Sequence, residues 1–222
     1  MPRTRGFVLA RQERNEADLV FTIFTEHLGL VHATAQGVRK PGAKLKGHLE
    51  PYSLADLVLV EARHGYRLTV ASLISWPASI IGSEEKLKAA EAFVSVIRNT
   101  AFEAEDSGLW DLSFSFFTLL KDAQDSDEPP RILLWALVRF LNHSGYRLSA
   151  DEEIVKTREL RDLFLHWEER EWNDIRKDSK TQIIASAFAA IARSFEMHFS
   201  LRFLFLTNNF LRRWAIKPPS AA

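Results

Sequence analysis

Residues 19–35 read LVFTIFT-EHL-GLVHATA, from Leu19 to Ala35. The first seven are Val, Ile, Thr, Phe and Leu, types that fit a pleated, half-buried surface. His27-Leu28-Gly29 makes a turn, and Gly29 to Ala35 follows as a second strand. Upstream, Phe7-Val8-Leu9 is a short β-favouring run. Downstream, Leu54 to Ala62 (LADLVLVEA) and Tyr66 to Ile74 (YRLTVASLI) flank Arg63-His64-Gly65, a hairpin signal with Gly at the turn. Five short strands within residues 1–76 have the number and size of an OB-type barrel, a partly open Greek-key sheet. An SH3-like barrel or a small sandwich matches the strand count as well.

The pattern changes at Trp76-Pro77. From Glu84 the period is helical, with Leu87, Ala90, Val94, Ile97 and Ala101 three or four residues apart. Ser83 before Glu84-Glu85 reads as a helix start with acid in its first turn. Gly108 is expected to break that helix, and Leu109 to Ala123 to resume as another. Asp125 to Pro130 reads as an acidic, proline-containing loop. Arg131 to His143 is apolar nearly all round, the mark of a buried helix, and ends at Ser144-Gly145 with glycine placed for a left-handed cap. Leu160, Leu163, Phe164 and Trp167 give helical spacing to the charged stretch 152–177, and Thr181–Phe199 and Leu201–Trp214 complete the helices. The expected fold is α+β: a barrel domain over 1–77, an all-helical domain over 80–216 and a disordered tail over 217–222.

Composition narrows the function. The chain has 222 residues, 46% hydrophobic and 26% charged, an ordinary globular balance that is not that of a disordered chain. It contains no cysteine, so no disulfide, thiolate metal site or cysteine nucleophile is available. Met1 to Gly6 is too short and polar to read as a secretory signal, and no apolar run has transmembrane length. The expected location is the cytoplasm. Lys plus Arg equal Asp plus Glu at 29 each, yet the charge is unevenly spread. Residues 1–76 carry +3, residues 77–130 carry −7 and residues 131–222 carry +4. A polyanion responds to the local field more than to the total.

Catalytic patterns are missing. The seven histidines form no H-x-x-x-H, H-x-H or H-E-x-x-H spacing, and no G-x-S-x-G occurs. Glu84-Glu85, Glu152-Glu153 and Glu168-Glu169 read as solvated helix faces. Gly37 to Lys44 (GVRKPGAK) approaches a phosphate-binding P-loop, but Ala43 stands at the lysine position and no hydroxyl follows to bind Mg²⁺. No enzyme activity, metal or cofactor is expected. The same stretch has another reading. Between Gln36 and His48 lie Arg39, Lys40, Lys44 and Lys46 and no acid, with glycines at 37, 42 and 47. A basic loop projecting from a barrel rim suits a phosphate backbone, because each cation displaces condensed counterions. Phe21, Phe24, Tyr52 and Tyr66 are the nearby aromatics, equally suited to stacking on bases or to the core.

These pieces together resemble the N-terminal part of the RecO family, bacterial mediators of DNA repair and recombination. They are Gly6-Phe7-Val8-Leu9, Glu16-Ala17-Asp18-Leu19, Phe24-Thr25, Gly29-Leu30, Gln36 to Lys40, Lys44-Leu45 and Leu49-Glu50-Pro51-Tyr52. Phe140 to Tyr146 resembles the family's helix ending in a Gly-Tyr pair. The resemblance implies an OB-fold with a helical C-terminal domain. It implies binding of single- and double-stranded DNA, strand annealing and help in loading the recombinase. It also implies contact with RecR and with the acidic tail of single-stranded-DNA-binding protein, and no covalent chemistry. Arg39, Lys40, Lys44 and Lys46 match the family's basic DNA-binding segment. Many members carry a four-cysteine zinc site after the Gly-Tyr pair, and this chain has none there. Arg202, Arg212 and Arg213, set among Phe203, Phe205, Phe210 and Trp214, form a candidate surface for the partner's acidic tail; the same residues also fit a last core helix with a solvated edge. The competing reading is a non-catalytic interaction scaffold whose barrel binds a protein rather than DNA.

Overall fold

The computed structural model describes residues 3–14, 16–38, 49–175 and 181–200. Five strands come first: β1 (Arg3–Glu13), β2 (Leu19–Thr25), β3 (Gly29–Ala35), β4 (Leu54–Glu61) and β5 (Tyr66–Ser75). They close into a barrel in the order β1-β2-β3-β5-β4, with β1 returning to β4. All pairs are antiparallel except β3–β5, which meet in parallel at Ala33–Tyr66 and Thr34–Arg67. That closure is the OB fold, and it removes the SH3-like and sandwich alternatives. It depends on β1 being much longer than the Phe7–Leu9 run. Arg3 and Arg5 face outward while Thr4 and Gly6 face in, so charge on alternate residues hid the strand's first half. Its length lets β1 pair with β4 over Arg3–Phe7 and with β2 over Gly6–Glu13. Val8, Phe21, Ile23, Val31, Leu57 and Leu59 fill the interior.

Three helices follow in the same compact unit: α1 (Ala78–Ile81), α2 (Glu84–Thr100) and α3 (Ser107–Asp122). Ser83 caps α2 as expected, accepting from the Lys86 backbone N–H. The break between helices falls at 101–106 rather than at Gly108, which lies inside the first turn of α3. Asp106 sets that start, since its Oδ1 accepts from the Leu109 N–H at 2.9 Å. Residues 21–25 of β2 are buried on both sides, against the alternation of a one-faced strand. The cause is α3: Phe7 stacks on Phe117 at 4.6 Å, and Trp110 lies 5.4 Å from Phe7 and 6.1 Å from Phe24. The change from strand to helix thus comes at Trp76-Pro77, while the compact unit runs on to Asp122.

The second unit starts at Ala123, and its regular elements are all helical among the described residues. It holds α4 (Glu128–His143), a 3-10 turn (Leu148–Ala150), α5 (Arg158–Glu169), α6 (Trp172–Ile175) and α7 (Thr181–Phe199). Pro129 and Pro130 open α4 rather than end a loop, because the first-turn N–H groups that proline lacks need no helical partner. Gly145, at φ +88°, ends α4 with the Tyr146 N–H donating to the Leu141 carbonyl at 2.8 Å. Glu168 corrects an expectation. Only 3% exposed, its carboxylate accepts from the Ser149 N–H at 2.9 Å and the Ser149 hydroxyl at 2.6 Å, with Arg147 Nε at 3.5 Å. Residues 201–222, with Arg202, Arg212, Arg213 and the tail 217–222, lie outside the described residues. Among the described residues no helix is long and apolar enough to cross a membrane.

Candidate nucleic-acid interface

One end of the barrel gathers the β1–β2 turn, the β4–β5 turn and the exit from β3, because Glu13 pairs with Leu19, Leu19 with Ala35, and Glu61 with Tyr66. Arg14 leaves β1 there and donates to the Thr34 hydroxyl at 3.0 Å. Thr34 in turn is the register partner of Arg67 on β5. Arg63 and His64 occupy the β4–β5 turn, whose Gly65 packs closely on the His32 carbonyl: a Cβ there would stand 2.6 Å from that oxygen. Arg14, Arg63, Arg67, His32 and His64 are all exposed. The fold thus brings Arg14, from the β1–β2 turn, to the end of the barrel that holds Arg63 and Arg67 of the β4–β5 hairpin.

The described residues that flank 39–48 are both part of the barrel core. Val38 and Leu49 are 5% and 3% exposed within the barrel core. Asp18 fixes the β3 exit by accepting from the Gly37 N–H at 2.8 Å. Arg39, Lys40, Lys44 and Lys46 themselves lie outside the described residues. The described part of this end is slightly acidic, with Glu13, Glu16, Asp18 and Glu61 against Arg14, Arg63 and Arg67. The surplus positive charge of the region therefore belongs to residues 39–48.

Other cations are committed elsewhere. Arg3 binds Asp56 through both Nε and Nη2, at 2.9 and 2.5 Å to Oδ2. Arg5 grips Glu26 in the same two-pronged way, and Arg11 Nη1 lies 2.6 Å from Glu50. The Arg5 hydrogen bond holds the Glu26 carboxyl below the usual carboxylate range, and Arg3 does the same to Asp56. Of the aromatics considered for stacking, Phe21, Phe24 and Tyr66 are core, at 1%, 1% and 8% exposure, and Tyr52 is half-buried. Burial, with a hydrogen bond to Glu103, pushes the Tyr66 hydroxyl pKa up. Sequence reasoning missed Arg14, Arg63 and Arg67; the signal for them was their place at strand ends, which became meaningful only with barrel closure. Among the described residues no three His, Asp or Glu side chains converge to hold a metal ion.

Residues 1–76 match the family model described as recombination protein O, N terminal. A DNA repair protein RecO from Frankia casuarinae is 31% identical over 151 residues, covering 67% of this chain and 62% of that protein. The one from Thermobifida fusca is 31% identical over 162 residues, covering 68% and 62%. The one from Bifidobacterium longum subsp. infantis is 32% identical over 96 residues, covering 43% and 40%. The matched part spans less than two thirds of each of these relatives.

Proposed function

Because this chain belongs to the RecO family, we propose that it is a non-enzymatic, DNA-binding mediator of recombinational repair. It holds single- and double-stranded DNA, promotes annealing of complementary strands and helps load the recombinase, in the cytoplasm at the nucleoid. The observation that carries this reading is the barrel end just described. There Val38 and Leu49, which flank the basic residues 39–48 in the sequence, are buried in the core of an OB barrel that also carries Arg14, Arg63 and Arg67. Phosphates are neutralised by Arg39, whose planar fork can bind bidentately, and by Lys40, Lys44 and Lys46 as point charges. Two strands held on one protein repel each other less and meet at a raised effective concentration, which favours annealing.

The chain also contacts RecR, and its helical unit docks the acidic tail of single-stranded-DNA-binding protein through Arg202, Arg212 and Arg213. A tail peptide that shows no saturable binding removes that part. The central test is a salt titration of single-strand affinity. Four neutralised phosphates give a slope of log K against log salt of about −3. Replacing Arg39, Lys40, Lys44 and Lys46 together by Ala removes most of the binding and the annealing activity while the fold survives. Salt-independent affinity overturns the proposal. The slight excess of acid among the described residues at the barrel end, and the −7 of residues 77–130, favour one competitor, a protein-binding scaffold. Fluorescence anisotropy with labelled single-stranded DNA at low and moderate salt separates the two: a scaffold gives no binding at either.

A further inference from the structure

A single-strand site combines cations for the backbone with open aromatic faces on which bases stack. Of the barrel's own candidate rings, Phe21, Phe24 and Tyr66 are buried and Tyr52 is half-buried. The aromatic ring most open to solvent in this unit is Phe102, 81% exposed, in the connection 101–106 between α2 and α3. An exposed Phe is unusual for a residue type that normally brings a large apolar surface to a core.

Its position is built, not accidental. The Leu30 N–H of β3 donates to the Phe102 carbonyl at 2.9 Å, along the part of β3 that β5 leaves unpaired. Gly29 lies directly against the connection: a Cβ there would stand 2.3 Å from the Phe102 oxygen and 2.2 Å from that of Ala104. The acids beside the ring have partners within the fold. Glu103 accepts from the Tyr66 hydroxyl, Glu105 lies 3.3 Å from His27 Nδ1, and Asp106 caps α3. Phe102 has no ring partner among the described residues. From it, Leu30, His32 and Thr34 run along the outer face of β3, alternating with buried residues, up to Arg14 and Arg67. Leu30 to Thr34 spans about 13 Å at the usual strand rise, well within the roughly 4–16 nucleotides that one such barrel covers.

We infer that Phe102 is a stacking platform for a base of single-stranded DNA, at the far end of a track along β3 whose near end carries Arg14 and Arg67. This rests on the DNA-binding reading above. In a duplex the bases already stack on each other, so the platform serves single strands only.

The test uses the full chain and its Phe102→Ala, Phe102→Leu and Phe102→Trp variants. Each is titrated with a thymidine oligonucleotide, an abasic oligonucleotide of equal length and a duplex. The expected result is that Ala and Leu weaken thymidine binding roughly 5- to 150-fold. Abasic and duplex binding, the salt slope and the melting temperature stay as in the parent, and Trp retains the parental affinity. Equal loss on all three DNAs, parental affinity in Phe102→Ala, or no parental preference for bases over abasic DNA overturns the stacking role while leaving DNA binding intact. A parent that binds none of the three sinks the DNA-binding reading itself.

Discussion

Glu168 belongs to a residue type that stays in water unless its charge is matched, and here Ser149 and Arg147 match it. It ties the segment after Gly145-Tyr146 to α5. Glu168→Ala strands two partly buried donors of Ser149, and should cost about 1–3 kcal/mol in the unfolding of the helical unit, read by urea titration with DNA affinity unchanged. Glu26 makes the case for pH. Its carboxyl pKa is lowered in the fold, chiefly by the Arg5 hydrogen bond. A lowered carboxyl pKa contributes stability above the unfolded value, near 4.5, and that contribution is lost as pH falls through the folded value. Arg5→Met should move the Glu26 titration, followed by carbon NMR of the carboxyl, up toward 4.5. A carboxyl that titrates unchanged in that variant would show that Arg5 is not the cause.

Elements in this chain are positioned as much by their connections as by their own pattern. Gly29, at φ +66°, begins β3 where the 101–106 connection crosses the barrel. Gly145, at φ +88°, ends α4 with no atom within 4 Å of a built Cβ. The two make a controlled pair. Gly145→Ala pays only left-handed backbone strain, about 1–2 kcal/mol. Gly29→Ala pays that strain plus a collision with two backbone oxygens, so its loss should exceed that of Gly145→Ala. It should also free the Leu30 amide, seen as faster hydrogen exchange at that residue. Equal losses at the two sites would mean that the 101–106 connection yields easily and does not hold Phe102 in place.

For the molecule as a whole, the zero net charge says little about DNA. Residues 1–76 and 131–222 are each positive, and an acidic stretch separates them along the chain. Local field, not total charge, governs the encounter with a polyanion. Replacing Arg14, Arg63 and Arg67 together by Ala should therefore weaken single-strand binding and flatten the salt slope by about 0.7 for each one that touches phosphate. A variant with the parental slope would assign the whole phosphate contact to residues 39–48.

Periodicity was enough to read the strands Leu19–Thr25 and Gly29–Ala35, the helix Thr181–Phe199, the Ser83 cap and the Gly145 stop, because each depends on neighbours within a few residues. The first half of β1 and the opening of α4 at Pro129-Pro130 were not legible. There, outward-facing arginines and prolines mimic loop composition, and only pairing with β4 or the tolerance of a first helical turn decides. Burial of Glu168, the open ring of Phe102 and the meeting of Arg14, Arg63 and Arg67 were settled by tertiary structure alone. Each joins segments 19 or more residues apart, and such contacts exist only after the barrel closes and the helices pack, leaving no trace in local spacing.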